Sequence, residues 1–147
     1  MTTYRTILVP IDFSDASAAA LDAAKELAKT FGARLHLLHC YPVHPLLRGY
    51  ETPVSDGFER DLRHAAQQRL DEWSQKVSAA GQPVTEHLSP YAPGEAIAEK
   101  AEEIGADLSV MGTRGLTGLK HVWLGSVAER TIQIAPCPVL TVKETDG

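Results

Sequence analysis

Five short strand-like runs alternate with four stretches of helical periodicity, and this alternation constrains the chain more than any other feature. Thr6 to Ile11 (TILVPI), Arg34 to Cys40 (RLHLLHC), Pro83 to Leu88, Asp107 to Met111 and Val139 to Val142 read as strands, the first with the apolar density of a strand buried on both faces. After the cap-rich Asp12-Phe-Ser-Asp15, small and apolar residues fall at 16, 19, 20, 23, 24, 27, 28 and 31, one buried stripe stopped by Gly32. Phe58, Leu62, Ala65, Ala66, Trp73 and Val77 lie on one side of a second helix that ends near Gly81. A third follows Pro93-Gly94, with Ile97, Ala101 and Ile104 inward and Gly105 at its end, and a fourth runs from about Ser126 to Ala135. A strict β1α1β2α2β3α3β4α4β5 order gives a parallel sheet with right-handed crossovers and helices on both faces. The expected fold class is therefore α/β, with residues 1–147 as one domain.

Bulk properties narrow the partners. At 147 residues, 44% hydrophobic and 22% charged, the chain has enough apolar material for one core without staples. A net charge of −5 argues against nucleic acid or an anionic membrane as partner, since both need a broad basic face. No apolar stretch approaches the length of a membrane span, and a cytoplasmic protein is expected. The two cysteines, Cys40 and Cys137, fall on strands that the order given below separates by two others, roughly 14 Å at about 4.8 Å per strand. That is too far for a disulfide, so buried structural thiols are expected. His36 and His39, three apart on a strand, point to opposite faces and cannot share an ion.

Local charge runs against the global sign in one place. Between Asp107 and Glu129 there is no acidic residue, while Arg114, Lys120 and His121 lie there, framed by Gly112-Thr-Arg-Gly115 and, nine residues on, Gly125-Ser126. Free backbone amides, absent carboxylates and a helix N-terminus suit an anion, because terminal amides are unpaired and the helix dipole adds positive partial charge. In open parallel sheets ligands bind where the strand order reverses, which picks out the ends of β1 and β4 and so joins Asp12 to the glycine loop. Two of these residues keep a second reading: Asp12 as a turn or cap residue, and Ser126 with Glu129 as an S-x-x-E capping box.

G-x-x-G-x9-G-S after an apolar strand, with V-P-x-D near the N-terminus, resembles the ATP-binding branch of the universal stress protein family, and the likeness runs over essentially the whole chain. The resemblance implies a five-stranded sheet in the order 3-2-1-4-5. It also implies that ATP, with a divalent cation such as Mg bridging the phosphates, is bound at the ends of β1 and β4. Pro10 and Asp12 would lie beside the ribose and adenosine, Cys40 would read the adenine edge through its backbone, and Met111 would flank the nucleotide. Gly112, Arg114 and Gly115 would wrap the phosphates, and Gly125, Ser126, Val127 and Ala128 would meet them at the helix N-terminus. Alanine stands at 128 where the family often carries a hydroxyl. A homodimer through the last strand, Val139 to Val142, is implied as well.

Neither the Walker G-x-x-x-x-G-K-[ST] nor the dinucleotide G-x-G-x-x-G occurs, and no histidine and carboxylate are placed by sequence beside Ser14 or Ser126. The expectation is a nucleotide-dependent regulatory module that hydrolyses ATP slowly or not at all. A slow ATP hydrolase or transferase acting through Arg114 or His121, an AMP or cyclic-AMP binder, and a nucleotide-free interaction module remain as alternatives.

Overall fold

The computed structural model describes residues 3–41, 56–115 and 124–144. Five parallel strands, β1 (Thr6–Pro10), β2 (Arg34–Cys40), β3 (Val84–Ser89), β4 (Leu108–Gly112) and β5 (Val139–Val142), form one sheet in the order β3-β2-β1-β4-β5. The helices are α1 (Asp15–Phe31), α2 (Asp56–Ala79), α3 (Pro93–Ile104) and α4 (Ser126–Ile134). The register is set by β1: Ile7 pairs with Leu35 on one side and Leu108 on the other, and Leu35 in turn with Val84.

Alternation along the strands divides the core in two. Ile7, Val9, Leu35, Leu37 and Val110 meet Ala20, Ala24 and Ala28 of α1 and Leu70 and Val77 of α2. Leu8, Leu38 and Met111 point to the other face, against Ile97 and Ala101 of α3 and Ala128 of α4. The alanines of α1 let it lie close to the sheet. Its ends follow local chemistry: Ser14 Oγ accepts from Ser17 N–H at 3.1 Å, and Gly32, at φ 67°, closes the helix in the left-handed conformation that favours glycine.

The second helix keeps part of the stripe read in the sequence, with Ala66 and Val77 buried and Trp73 packed against the core, and adds Leu70 and Ser74 to it. Ala66, Leu70, Ser74 and Val77 face inward, whereas Phe58 is 45% exposed and Ala65 is exposed. Residues 66, 70, 74 and 77 advance by helical three- and four-residue steps, whereas Phe58, two four-residue steps before Ala66, has drifted roughly 80° around the helix axis at about 100° per residue. Strand β3 likewise starts one residue late and ends on Ser89, while Pro83, lacking an N–H, contributes only its carbonyl, to Leu35 N–H at 3.1 Å. Connection residues 42–55 lie outside the described residues.

Histidines on neighbouring strands pair in a way that the sequence spacing hid. His36 Nδ1 and His87 Nε2 are 2.9 Å apart, with ring planes within 8° and centroids 5.2 Å apart. Those three values fit an edge-on hydrogen bond, one ring donating and the other accepting, and not a face-to-face stack. Burial holds both rings below their ordinary value of 6.5, with Lys100 adding to each and Arg34 to His36, while Glu103 partly opposes this at His87. His39, on the opposite face, is also lowered, again chiefly by burial.

Two outcomes follow from this packing. Leu70→Ala should cost about 2–5 kcal/mol in urea denaturation, against less than about 1 kcal/mol for Phe58→Ala, and equal losses would contradict the assigned stripe. Because the three histidines are more readily protonated in the unfolded chain, their contribution is complete above pH 6.5 and is lost as pH falls below that value towards their folded pKa values. The urea midpoint should therefore drop between pH 7.5 and 5.5, and drop less in His36→Gln/His87→Gln.

Candidate functional site

The chain leaves β1 through a turn that fixes a carboxylate. Asp12 Oδ1 accepts from the Ser14 N–H at 2.9 Å and also from the Ser14 hydroxyl, so the side chain mimics a backbone turn, and Ser14 in turn caps α1. Asp12 is thus a turn residue, as its second reading allowed, yet its other oxygen remains directed at the glycine loop: a Cβ on Gly115 would stand 2.8 Å from Asp12 Oδ2. Phe13, between Asp12 and Ser14, has φ 65° and is the one non-glycine residue in that region among the described residues. Such a conformation costs on the order of 1–3 kcal/mol and persists only where surrounding contacts hold it.

Strand β4 ends against the first turn of α1. A Cβ on Gly112 would lie 2.8 Å from Ala16 Cβ and 3.0 Å from the Ala16 carbonyl carbon and oxygen, so only glycine permits this approach. Beyond it, Gly125 N–H donates to the Thr113 carbonyl at 2.6 Å, and Thr113 N–H to that of Val142 at 3.1 Å. The first bond closes the glycine loop at its base and brings Gly112–Gly115 beside Gly125–Ser126. Residues 116–123, with Lys120, His121 and Trp123, lie outside the described residues, as does His44.

At the start of α4 the capping-box reading of Ser126 is corrected. Gly125, held by its bond to Thr113, occupies the N-cap position, and Ser126 becomes the first helical residue, from which its hydroxyl makes no cap bond. Gly125 has no side chain with which to cap this helix, and Ser126, Val127 and Ala128 of its first turn line the same cleft as the loop. Arg114 sits nearby, with its Nη2 3.9 Å from Glu144 Oε2.

These pieces enclose a cleft of about 430 Å³ at the C-terminal ends of β1, β2 and β4, a size typical of small-molecule pockets. Eleven of the positions that the resemblance assigns to the ligand line it: Pro10 and Asp12 at and after the end of β1, Cys40 at the end of β2, Met111 and Gly112 on β4, Arg114 and Gly115 in the loop, and Gly125, Ser126, Val127 and Ala128 at the start of α4. Ala128, 2% exposed, packs its methyl into the core, so only its backbone can serve a ligand. Sequence reasoning missed Ile11, Ser17, Leu38, Pro93, Ile97 and Thr113. Ile97 had been placed on the inner face of α3; that this face doubles as a cleft wall depends on how α3 crosses the sheet.

Leu38, Ile97 and Met111 give the cleft an apolar wall, and Asp12 and Arg114 are its only charged lining residues among the described residues. Cys40 and Cys137 are both free and half-buried, a correction to the expectation of buried thiols. Cys40 is the last residue of β2, whereas Cys137 lies two positions before β5 rather than on the strand expected for it. Burial pushes the Cys40 thiol up to about 12, and Ser109 Oγ lies 3.4 Å from Cys137 Sγ. No group of three metal-ligating side chains occurs among the described residues.

Fold and cleft together define a single-domain α/β protein with a binding crevice at the switch point between β1 and β4. The universal stress protein family model matches residues 3–143, and the chain belongs to that family. Universal stress protein MJ0531 of Methanocaldococcus jannaschii is 36% identical over 144 residues, covering 96% of this chain and 83% of that protein. The solved structure of MJ0577, from the same organism, superposes with a TM-score of 0.84 at 28% identity, over 99% of this chain and 100% of that one. A universal stress protein from Archaeoglobus fulgidus, solved in complex with dAMP, superposes with a TM-score of 0.69 at 26% identity, over 97% and 100%.

A thiol pushed to about 12 is almost wholly protonated at pH 8 and a poor nucleophile. In the folded protein, labelling by a disulfide reagent at pH 8 should therefore follow the same time course in wild type and Cys40→Ser, with the difference of one thiol emerging only in urea. Fast native labelling at Cys40 would contradict the assigned environment.

Proposed function

We propose that this chain binds an adenine nucleotide in the cleft, ATP with Mg being the expected ligand, and acts as a cytoplasmic regulatory module whose bound state alters its assembly or partner contacts. The observation that carries this reading is the closed base of the glycine loop beside the start of α4, whose glycine N-cap offers no side chain: both line one cleft, in which Asp12 is the only carboxylate among the described residues. The residue chemistry fits the parts of a nucleotide. Leu38, Ile97 and Met111 offer an apolar slot for a base, the Cys40 backbone an edge to read it, and Asp12 an acceptor for ribose hydroxyls. Arg114, Gly115, Gly125 and the amides of Ser126, Val127 and Ala128 would receive phosphate, with a bound Mg neutralising charge on the outer phosphate oxygens. The phosphate would compete with Glu144 for the Arg114 guanidinium, a half-buried and loosely spaced pair of small worth on its own.

The A. fulgidus relative bound to dAMP supports adenine and at least one phosphate and gives a monophosphate reading equal standing on the ligand side. Against hydrolysis, Ser14 is committed to capping α1, and among the described residues neither Ser14 nor Ser126 has a histidine bonded to it. For assembly, β5 is an edge strand with Leu140 40% exposed, a surface that suits pairing with a second copy.

Calorimetric titration with Mg-ATP, AMP and GTP tests the reading. Wild type should bind Mg-ATP in the micromolar range, and Gly115→Val, whose side chain would collide with the Asp12 carboxylate, should abolish the heat without unfolding the protein. Absence of heat from all three nucleotides, with none released on denaturation, would remove the nucleotide reading and leave the interaction module.

A further inference from the structure

We propose that Phe13 is a positioning residue for the ligand: its ring, clamped by His39, Trp73 and Arg69, holds the turn in the left-handed conformation that directs the Asp12 carboxylate into the cleft. The inference rests on the nucleotide reading above and adds to it a group of residues that never touch the cleft.

A phenylalanine at φ 65° is unusual, and its surroundings explain why it stays there. The ring centroid lies 4.4 Å from that of His39, tilted by 47°, and 5.5 Å from that of Trp73 in an edge-on contact at 74°. Arg69 places its guanidinium carbon 4.1 Å from the ring centroid, on the remaining side. The clamp is tied to the strand end as well, since His39 Nδ1 lies 2.7 Å from the Ile11 carbonyl oxygen. Phe13 is therefore fixed from β2 through His39 and from α2 through Trp73 and Arg69.

The consequence falls on its two neighbours. Asp12 Oδ1 is held by the Ser14 N–H, and that bond requires the peptide between Phe13 and Ser14 to face back towards Asp12. Rotating Phe13 to an ordinary negative φ turns that peptide away, releases Oδ1 and leaves Oδ2 without a fixed direction beside Gly115. Glycine would accept the same φ without strain but would have no ring for the clamp to hold. None of Phe13, His39, Arg69 and Trp73 lines the cleft, and among the described residues α2 contributes nothing to its wall. The clamp thus gives α2, which covers the opposite face of the sheet, a hold on a ligand-facing carboxylate.

The test compares Mg-ATP with Mg-2′,3′-dideoxy-ATP, which lacks the hydroxyls that Asp12 would accept from. Wild type should prefer ATP by about tenfold or more, the range of a hydrogen bond to a charged group. In Phe13→Gly, which permits the backbone but removes the anchor, ATP should weaken to within about twofold of the dideoxy analogue, whose affinity should change little. Phe13→Tyr should restore the preference, and Trp73→Leu and Arg69→Ala should reduce it. A purely structural role would weaken both ligands alike and leave their ratio unchanged. The proposal is overturned if folded Phe13→Gly keeps the wild-type ratio; if that variant does not fold, the same ratio kept in Trp73→Leu or in the surface variant Arg69→Ala overturns it. A wild type that binds ATP without ribose preference sinks this inference alone, whereas one that binds neither ligand sinks the nucleotide reading with it.

Discussion

The contact between Gly112 and Ala16 is the constraint on which the rest of the site depends. Because glycine has no Cβ, the end of β4 can approach within van der Waals distance of the backbone in the first turn of α1. That approach sets the turn after β1 and the loop after β4 side by side, although they are a hundred residues apart in sequence. A side chain at 112 would wedge them apart, and Asp12, Gly115 and the start of α4 would no longer face one space. The bond from Gly125 to Thr113 then repeats the device at the other end of the loop, where a Cβ on Gly125 would stand 3.2 Å from the carbonyl it binds.

Two helix starts meet near the cleft and are finished differently. Ser14 caps α1, and that serine in turn is tied to Asp12, so the first helix is satisfied from within the chain. The N-cap of α4 is Gly125, which has no side chain to cap with. Unsatisfied amides at a helix start are costly unless water or a ligand reaches them, and their dipole favours an anion. Arg114 and the apolar side chains of Leu38, Ile97 and Met111 line the same cleft, so its lining is divided between chemistry that suits negative charge and chemistry that suits a flat apolar group. That division is the physical basis for reading a nucleotide there.

The opposite face supplies rigidity. The alanine stripe of α1 and the Leu70–Val77 row of α2 bury the strands that carry the site, and the Phe13 clamp extends that packing to the site's edge. Much of this was legible beforehand. The alternation of strand and helix specified the sheet, and glycine spacing with missing acids marked the loop, because both depend on local periodicity and local charge. Phe58 misled, since an aromatic residue in a helix suggests burial whether or not it lies on the inward row. His87 went unnoticed because its partner His36 is brought to it only by strand register, and Ser126 lost the cap position because Gly125 was already held by a residue twelve positions earlier.

Sequence alone determined the element order, the β3-β2-β1-β4-β5 architecture through a family resemblance, and the residues that converge at the switch point. The element order is a property of short windows, in which each strand and helix declares itself by its own residues, whereas the strand order and most of the cleft positions came through the resemblance. Tertiary structure decided what lies between windows: that α3 contributes Pro93 and Ile97 to the cleft wall, that Asp12 is both turn residue and cleft carboxylate, and that Phe13 is held in a left-handed conformation from two other elements. Such facts depend on distances between segments remote in sequence. Only the folded backbone sets those distances.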